Sequence, residues 1–565
     1  MTIHFKHSAG LIAVLFLLAA CKKDKADFKN DNRPVTENRK KSNVRIINLA
    51  DNNQVIANGD TLTNFVYRFP TDLQEYPGTP YFPSNGRLGK LWEIPQDVFD
   101  TKEKANLVVG NKIDLSTVLS TAFTVENNYN KPTDYILLPT YSFTGQQAVV
   151  PVTRDVAAPS KPDHFKIRII NLTGRINFPV STGAGPQEDL QGAITLTFAD
   201  GTPVHAKTSH VGSAVVSEYV EVPYGTCQFK VLTADGRAIP GAKTANQISY
   251  LNRLVPANSN VPITYNTFTN QVYAPIGIYQ PGGIYTVIVT PQSFVYSNSN
   301  TDVSTCWQNS FQVISDNSVV ANTTYCRMQG VNALNDQSIS IKANGKDIAT
   351  GLTFGKAGDY ASLINGNFKV EATDASGKII ATAEQLLRPA QNYTAWLYAA
   401  ADGAAKLAIV ANDLSGTTYK GASEDGTYDF ALSDYYCNLR FLNLSPDNPY
   451  ITFTKDNGQL FTIDSASINL RPGVPAIEQP YAKINYEAPV FGIMAYRSSP
   501  NIVPGAWAND IPVRSSQDLI ARRELYTNTG RSLPSLEPGV YTVALIGRSG
   551  NATPKATTMI LKHTK

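Results

Sequence analysis

Val44-Arg-Ile-Ile-Asn48-Leu49 returns as Ile167-Arg-Ile-Ile-Asn171-Leu172 and as Leu439-Arg-Phe-Leu-Asn443-Leu444. A fourth version, Met328-Gln-Gly-Val-Asn332-Ala333, has Gln329 where the others have Arg45, Arg168 and Arg440. Each is a run of bulky or β-branched residues that stops at an asparagine, which reads as the first strand of a module entering a turn. Four such starts predict four units.

Further landmarks follow in order, as a true repeat requires. Tyr219-Val-Glu-Val-Pro-Tyr-Gly225 matches Tyr360-Ala-Ser-Leu-Ile-Asn-Gly366 in spacing. A closing phrase recurs as Pro281-Gly-Gly-Ile-Tyr285-Thr-Val, Pro389-Ala-Gln-Asn-Tyr393-Thr-Ala and Pro538-Gly-Val-Tyr541-Thr-Val. Length agrees, since about 520 residues exceed what one core holds. The expected units are 44–160, 161–322, 323–433 and 434–565, preceded by a signal peptide, 1–20, and a tether, 21–43.

Secondary structure reads as strand almost throughout. Ala193-Ile-Thr-Leu-Thr-Phe-Ala, Tyr285-Thr-Val-Ile-Val-Thr, Ser338-Ile-Ser-Ile-Lys-Ala and Tyr450-Ile-Thr-Phe-Thr-Lys alternate with period two. Asp200-Gly201, Asn344-Gly345 and Asn457-Gly458 supply residues that tolerate the positive φ of tight hairpin turns. The fold class is therefore all-β: tandem immunoglobulin-like antiparallel β-sandwich modules after a disordered tether. Only Gln96 to Asn106 and Ser515 to Tyr526 read as helical.

The chain opens with a weakly basic segment and the apolar run Leu11 to Ala20, about half the length of a bilayer-spanning helix. Leu18-Ala-Ala-Cys21 resembles the bacterial lipobox, which implies lipidation of Cys21 and a membrane partner through the lipid anchor. The charged run Lys22-Lys-Asp-Lys-Ala-Asp is similar to the export signal of Bacteroidetes-type surface lipoproteins. That resemblance implies an outer-membrane location facing outward; a spacer on a periplasm-facing lipoprotein is the alternative. Residues 21–43 hold eight Lys or Arg and four Asp or Glu, with few large apolar groups, and read as a flexible tether. Beyond it 40 basic and 42 acidic residues remain, a balance that argues against a nucleic-acid partner.

The start phrase, best preserved as Leu439-Arg-Phe-Leu-Asn443-Leu-Ser-Pro446-Asp447, and the closing Gly539-Val-Tyr541-Thr-Val resemble an uncharacterised family of repeated β-sandwich domains. That family is common in bacterial secreted proteins and surface lipoproteins. The resemblance implies a fold and a location, and no reaction.

Four cysteines follow Cys21: Cys227, Cys306, Cys326 and Cys437. They permit three complete pairings. Cys306 with Cys326 is favoured over Cys227 with Cys306, and buried free thiols are the other reading. Cys326 and Cys437 each lie six residues before a start-phrase asparagine, at equivalent places in different modules.

For chemistry, the chain shows no Gly-x-Ser-x-Gly elbow, His-Glu-x-x-His helix, phosphate loop or EF-hand loop. His205 and His210, five apart, would lie on opposite faces of a strand and make poor metal co-ligands. No catalytic residue, metal site or cofactor is expected; a hydrolase with its carboxylates in module insertions is the minority alternative. Binding fits the 28 tyrosines better, because aromatic rings with a polar handle suit sugars and peptide surfaces. Trp396, inside an apolar strand, reads as packing. Trp507, Tyr81 and Phe82 lie in loop-like settings and, with Trp92 nearby, are the candidate ligand contacts. The repeated Arg45, Asn48, Arg168, Asn171, Asn332, Arg440 and Asn443 read as structural. The expected role is non-catalytic binding or adhesion with an extracellular glycan or another surface protein as partner; an accessory subunit of an outer-membrane assembly is the alternative.

Overall fold

The computed structural model describes residues 38–564 apart from 51, 65–77, 84–85, 114–115, 140–146, 155–156, 176–189, 242–252, 255–276, 280, 298–302, 316–323, 335–336, 390, 413–435, 462–465, 478–479, 486–487, 529–531, 538 and 551. The signal segment, Cys21 and most of the tether lie outside the described residues. Among the described residues the chain is almost all strand, with a few 3-10 turns and one four-residue α-turn, Glu524–Thr527. It divides into two compact units, the first ending with Gln147–Arg154 and the second running from Asp155.

All four start phrases are strands: Lys41–Asn48, His164–Asn171, Tyr325–Ala333 and Tyr436–Asn443. The first begins three residues earlier than expected. Alternation explains their composition. Val44 and Ile46, Phe165, Ile167 and Ile169, Cys326 and Met328, and Leu439 and Phe441 each enter a core of their own module, with a second sheet across it. The alternate positions carry Arg45, Arg168, Gln329 and Arg440 on the opposite face.

The sheets are not purely antiparallel. Each start strand lies beside its module's closing strand and runs parallel to it, with Arg45 opposite Asp134, Arg168 opposite Thr286, Gln329 opposite Thr394 and Arg440 opposite Thr542. Alternation within one strand says nothing of which distant strand becomes its neighbour; a parallel pair needs a long crossover, here the intervening second sheet. The threonine of the closing Tyr-Thr phrase is thus the lateral partner of the start-phrase polar residue. The preceding tyrosines, Tyr285, Tyr393 and Tyr541, are buried in the cores. Tyr541 donates its hydroxyl proton toward the carbonyl oxygens of Leu519 (3.1 Å) and Glu537 (3.3 Å), which ties the strand's entry to the preceding loop.

The asparagines are used in the same way, except that Asn48 accepts the amide four residues on rather than two. Asn171 Nδ2 donates to the carbonyls of Gly192 and Val211, both at 2.8 Å, while its Oδ1 accepts the Thr173 amide. Asn332 donates to Gln337 and Leu352 and accepts from Leu334. Asn443 donates to Asn448 and Leu470 and accepts from Ser445. Asn48 does the same with Asn52 and Gly89. One amide closes the turn after the strand and clasps a segment that crosses the sandwich.

Two local expectations are corrected. Gln96 to Asn106 is a 3-10 turn, Gln96–Val98, followed by a strand from Lys104. The Asp100 carboxylate accepts the amides of Lys102 and Lys104, and Glu103 takes φ 56°, which stops any helix there. Ser515 to Tyr526 contains only the 3-10 turn Ser516–Leu519, opened by a Ser515/Asp518 capping box, and the α-turn. The Asn344-Gly345 and Asn457-Gly458 pairs do take positive φ at both residues.

Within the second unit a further core joins the third and fourth modules. Val331, Trp396 and Tyr398 from one meet Leu442, Leu444, Ala544 and Ile546 from the other, so the outward faces of two start sheets pack on each other. Trp396 is fully buried here. The second module is tied in by Arg327, whose Nη1 donates to the Tyr224 carbonyl at 3.4 Å. A Cβ on Gly225 would sit 2.0 Å from that nitrogen, which explains this glycine; its counterpart Gly366 instead takes φ 145°.

The Cys306–Cys326 pairing is not formed. Cys326 is a buried free thiol, as is Cys437 at the matching place in the fourth module. Both point into a core from the start strand, where an apolar side is wanted; the Cys306 side chain lies outside the described residues.

Candidate ligand-binding face

Of the four aromatic candidates, three are packing residues. Phe82 and Trp92 are buried in the first module's core, their ring centroids 5.2 Å apart. Trp92 lies on the strand Leu91–Pro95, paired with Ile46. Tyr81 is half-buried against the same core, with the Arg39 guanidinium 4.0 Å above its ring. Flanking prolines signalled a loop correctly, but the loop folds back onto its own module because two large aromatics are worth several kcal/mol when buried.

Trp507 differs. It ends the strand Ile502–Trp507, an edge of the sheet formed with Gly492–Ser499 and Ile451–Thr454, and is 51% exposed. The loop expected at Pro504-Gly-Ala-Trp507 is therefore a strand. Gly505 at φ 89° approaches the Arg497 carbonyl, closer than a Cβ would allow. Ile493, Ala495 and Phe453 face the core, so Tyr496, directly opposite Trp507, faces away from it together with Thr452. The result is a cross-strand row of Tyr496 and Trp507, next to Thr452, which is fully buried; Ile502, Val503 and Val513 are also exposed.

Polar groups sit at the end of this sheet. Arg497 donates to Asp510 Oδ2 (2.7 Å), Asn448 Oδ1 (2.8 Å) and Ser549 Oγ (3.0 Å), and Arg548 pairs with Asp447 at 2.9 Å. The hydrogen bond from Arg497 holds the Asp510 carboxyl below the usual range, and that from Arg548 does so for Asp447. Two cations meet two anions, so the rim is hydrogen-bonding but neutral.

Two buried polar clusters escaped the sequence reading. His563 Nε2 lies 2.7 Å from Thr542 Oγ1, and its Nδ1 is 2.8 Å from the Tyr360 hydroxyl and 3.4 Å from Gln329 Nε2. Asn412 Nδ2 and Gln329 Nε2 both donate to Thr394 Oγ1, and Arg440 Nη1 donates to Asn412 Oδ1 at 2.7 Å. Burial, helped by the Arg440 charge, drops the His563 imidazole to about 3. In the other cluster Glu537 accepts from Tyr526 Oη (2.9 Å) and the Ala521 amide (3.2 Å), with Lys562 Nζ at 3.7 Å and Lys230 Nζ at 4.0 Å. Desolvation brings Lys230 down to about 8, against the pull of Glu537. His563 stands two residues from the chain's end, and only its place in the fold marks it.

Arg45 makes a two-pronged contact with Asp134, at 2.8 and 2.9 Å. Arg168 lies over the Tyr219 ring at 4.5 Å and Arg440 over Tyr481 at 4.6 Å. His205 and His210 flank a 3-10 turn rather than sharing a strand, and no cluster of potential metal ligands occurs among the described residues.

No protein-family profile matches the chain, and neither does any curated protein. Among solved structures it is similar to one described as alpha-glucan recognition by family 41 carbohydrate-binding modules from streptococcal virulence factors. That match has 10% identity over 41% of this chain and 96% of the other, with a TM-score of 0.13. A superposition that loose carries no argument.

Proposed function

We propose that the protein is a lipid-anchored outer-membrane surface protein with a non-catalytic role, binding extracellular glycan on the face that carries Trp507 and Tyr496. The observation that carries this reading is the half-exposed Trp507 on an edge strand, level with a second outward aromatic. Such a row offers a pyranose ring an apolar surface, with Asn509 and the Arg497/Asp510 pair close in sequence or register for its hydroxyls. The lipobox-like Leu18-Ala-Ala-Cys21 supports the anchor. The non-catalytic part rests on the missing sequence motifs and on the burial of His563 and Glu537 inside module seams. A glycan array probed with wild type and Trp507→Ala tests the binding; signals that the variant leaves unchanged would sink it. Surface proteolysis of intact cells tests the outward orientation.

A second reading, an accessory subunit of an outer-membrane assembly, draws on the exposed Ile502 and Val503 along the same edge strand, where a partner strand would add to the sheet. Co-purification of one fixed partner after gentle detergent extraction, lost on Val503→Lys, would favour it.

A further inference from the structure

A cleft of about 630 Å³ opens where the third module overhangs the fourth. Its roof is the turn carrying Phe354 and Gly355, pinned by the Gly355 amide donating to the Asn332 carbonyl at 2.8 Å. Gly355 takes φ 71°, and a Cβ there would stand 3.6 Å from Ile546 Cδ1, so the turn sits directly above the fourth module's sheet. Ile546 and Met559, on the outward face of the fourth module's sheet, make an aliphatic floor, with Ile520 and Ile560 at its margin.

Two guanidinium groups line this cleft, and they are not equivalent. Arg523 is neutralised by Asp518 at 3.1 Å, and that carboxylate is also engaged by the Ser515 amide. Arg514 is held by its Nε, which donates to the Thr558 carbonyl at 3.0 Å, and it forms no ion pair among the described residues. Anchoring through Nε fixes the guanidinium while leaving its two terminal nitrogens without a hydrogen bond among the described residues. The cleft therefore carries one surplus positive charge on an oriented fork, above an apolar floor, with the Thr557 side chain beside it.

We infer that this cleft is a second binding site, for a saccharide bearing a carboxylate, of the uronic-acid class. A planar fork on a fixed stem matches a carboxylate, the aliphatic floor suits the C–H face of a pyranose, and the volume lies in the range of small-ligand sites. The site shares no residue with the Trp507 face.

The test is calorimetric titration of the detergent-solubilised full chain with a diglucuronate and with the matching neutral diglucoside. Diglucuronate binds at least about tenfold more tightly than the neutral sugar. Arg514→Gln abolishes that preference, and Thr557→Trp removes the tighter diglucuronate binding by filling the cleft without touching the arginine. Equal affinity for the two sugars, no diglucuronate binding at millimolar concentration, or binding that survives both cleft variants overturns the inference. Diglucuronate binding lost in Trp507→Ala also overturns it, by moving the sugar to the other face.

Discussion

The Arg440 guanidinium of the fourth module donates to Asn412 Oδ1 of the third at 2.7 Å, and Asn412 in turn shares Thr394 Oγ1 with Gln329. This accounts for the one departure in the repeat. The start-phrase arginine is replaced by a neutral glutamine in the module whose outer face receives its neighbour's arginine. A second guanidinium there would meet Arg440 across a sealed interface.

Gln329→Arg, which restores the repeat pattern, therefore destabilises the second unit by roughly 3 kcal/mol, because it buries an unpaired charge beside a like one. Urea melts of wild type and variant measure it, and a stability gain would refute the account.

His563 makes the same seam sensitive to acid. Its folded value of about 3 lies below the ordinary 6.5, so between these limits the unfolded chain binds the proton and the folded chain does not. Stability from this group is complete above pH 6.5 and falls as pH drops toward 3. The groups facing it are Arg440, Tyr360, Thr542 and Gln329. His563→Gln flattens the pH dependence of stability across that window relative to wild type.

The clasp asparagines are costly to remove. Asn443→Ala leaves the Asn448 carbonyl and the Ser445 amide without this partner and takes one of two donors from the Leu470 carbonyl, a loss of roughly 2–4 kcal/mol by chemical denaturation. Asn443→Asp, which keeps the acceptor and loses both donors, recovers little.

Glu537 and Lys230 show how charge ties the second module to the fourth. Lys230→Met alone removes one of two cations from a buried carboxylate and costs about 3–5 kcal/mol. Lys230→Met with Glu537→Leu costs less than the sum of the single changes in a double-mutant cycle; strictly additive losses would refute the coupling.

Cys326 is held in reduced form by its place in the core. Burial pushes its thiol up to about 12, so the folded protein resists iodoacetamide at pH 8 at this residue, and peptide mapping finds it alkylated only after denaturation. A Cys306–Cys326 bridged peptide in the mapped digest would contradict this.

The order of start, middle and closing phrases was readable by itself, because local rules govern it. Period-two alternation specifies a strand and which of its faces seeks a core, and Asn344-Gly345 or Asn457-Gly458 specify a turn. The same rules could not say that Arg440 is partnered by Thr542, 102 residues away, and by Asn412 of the preceding module. They also could not tell Trp507, left exposed on an edge strand, from Trp92, buried beneath Phe82. Exposure and lateral pairing depend on which surfaces meet in three dimensions. That is decided by the packing of sheet on sheet and module on module, where the burial of distant apolar faces outweighs any local preference.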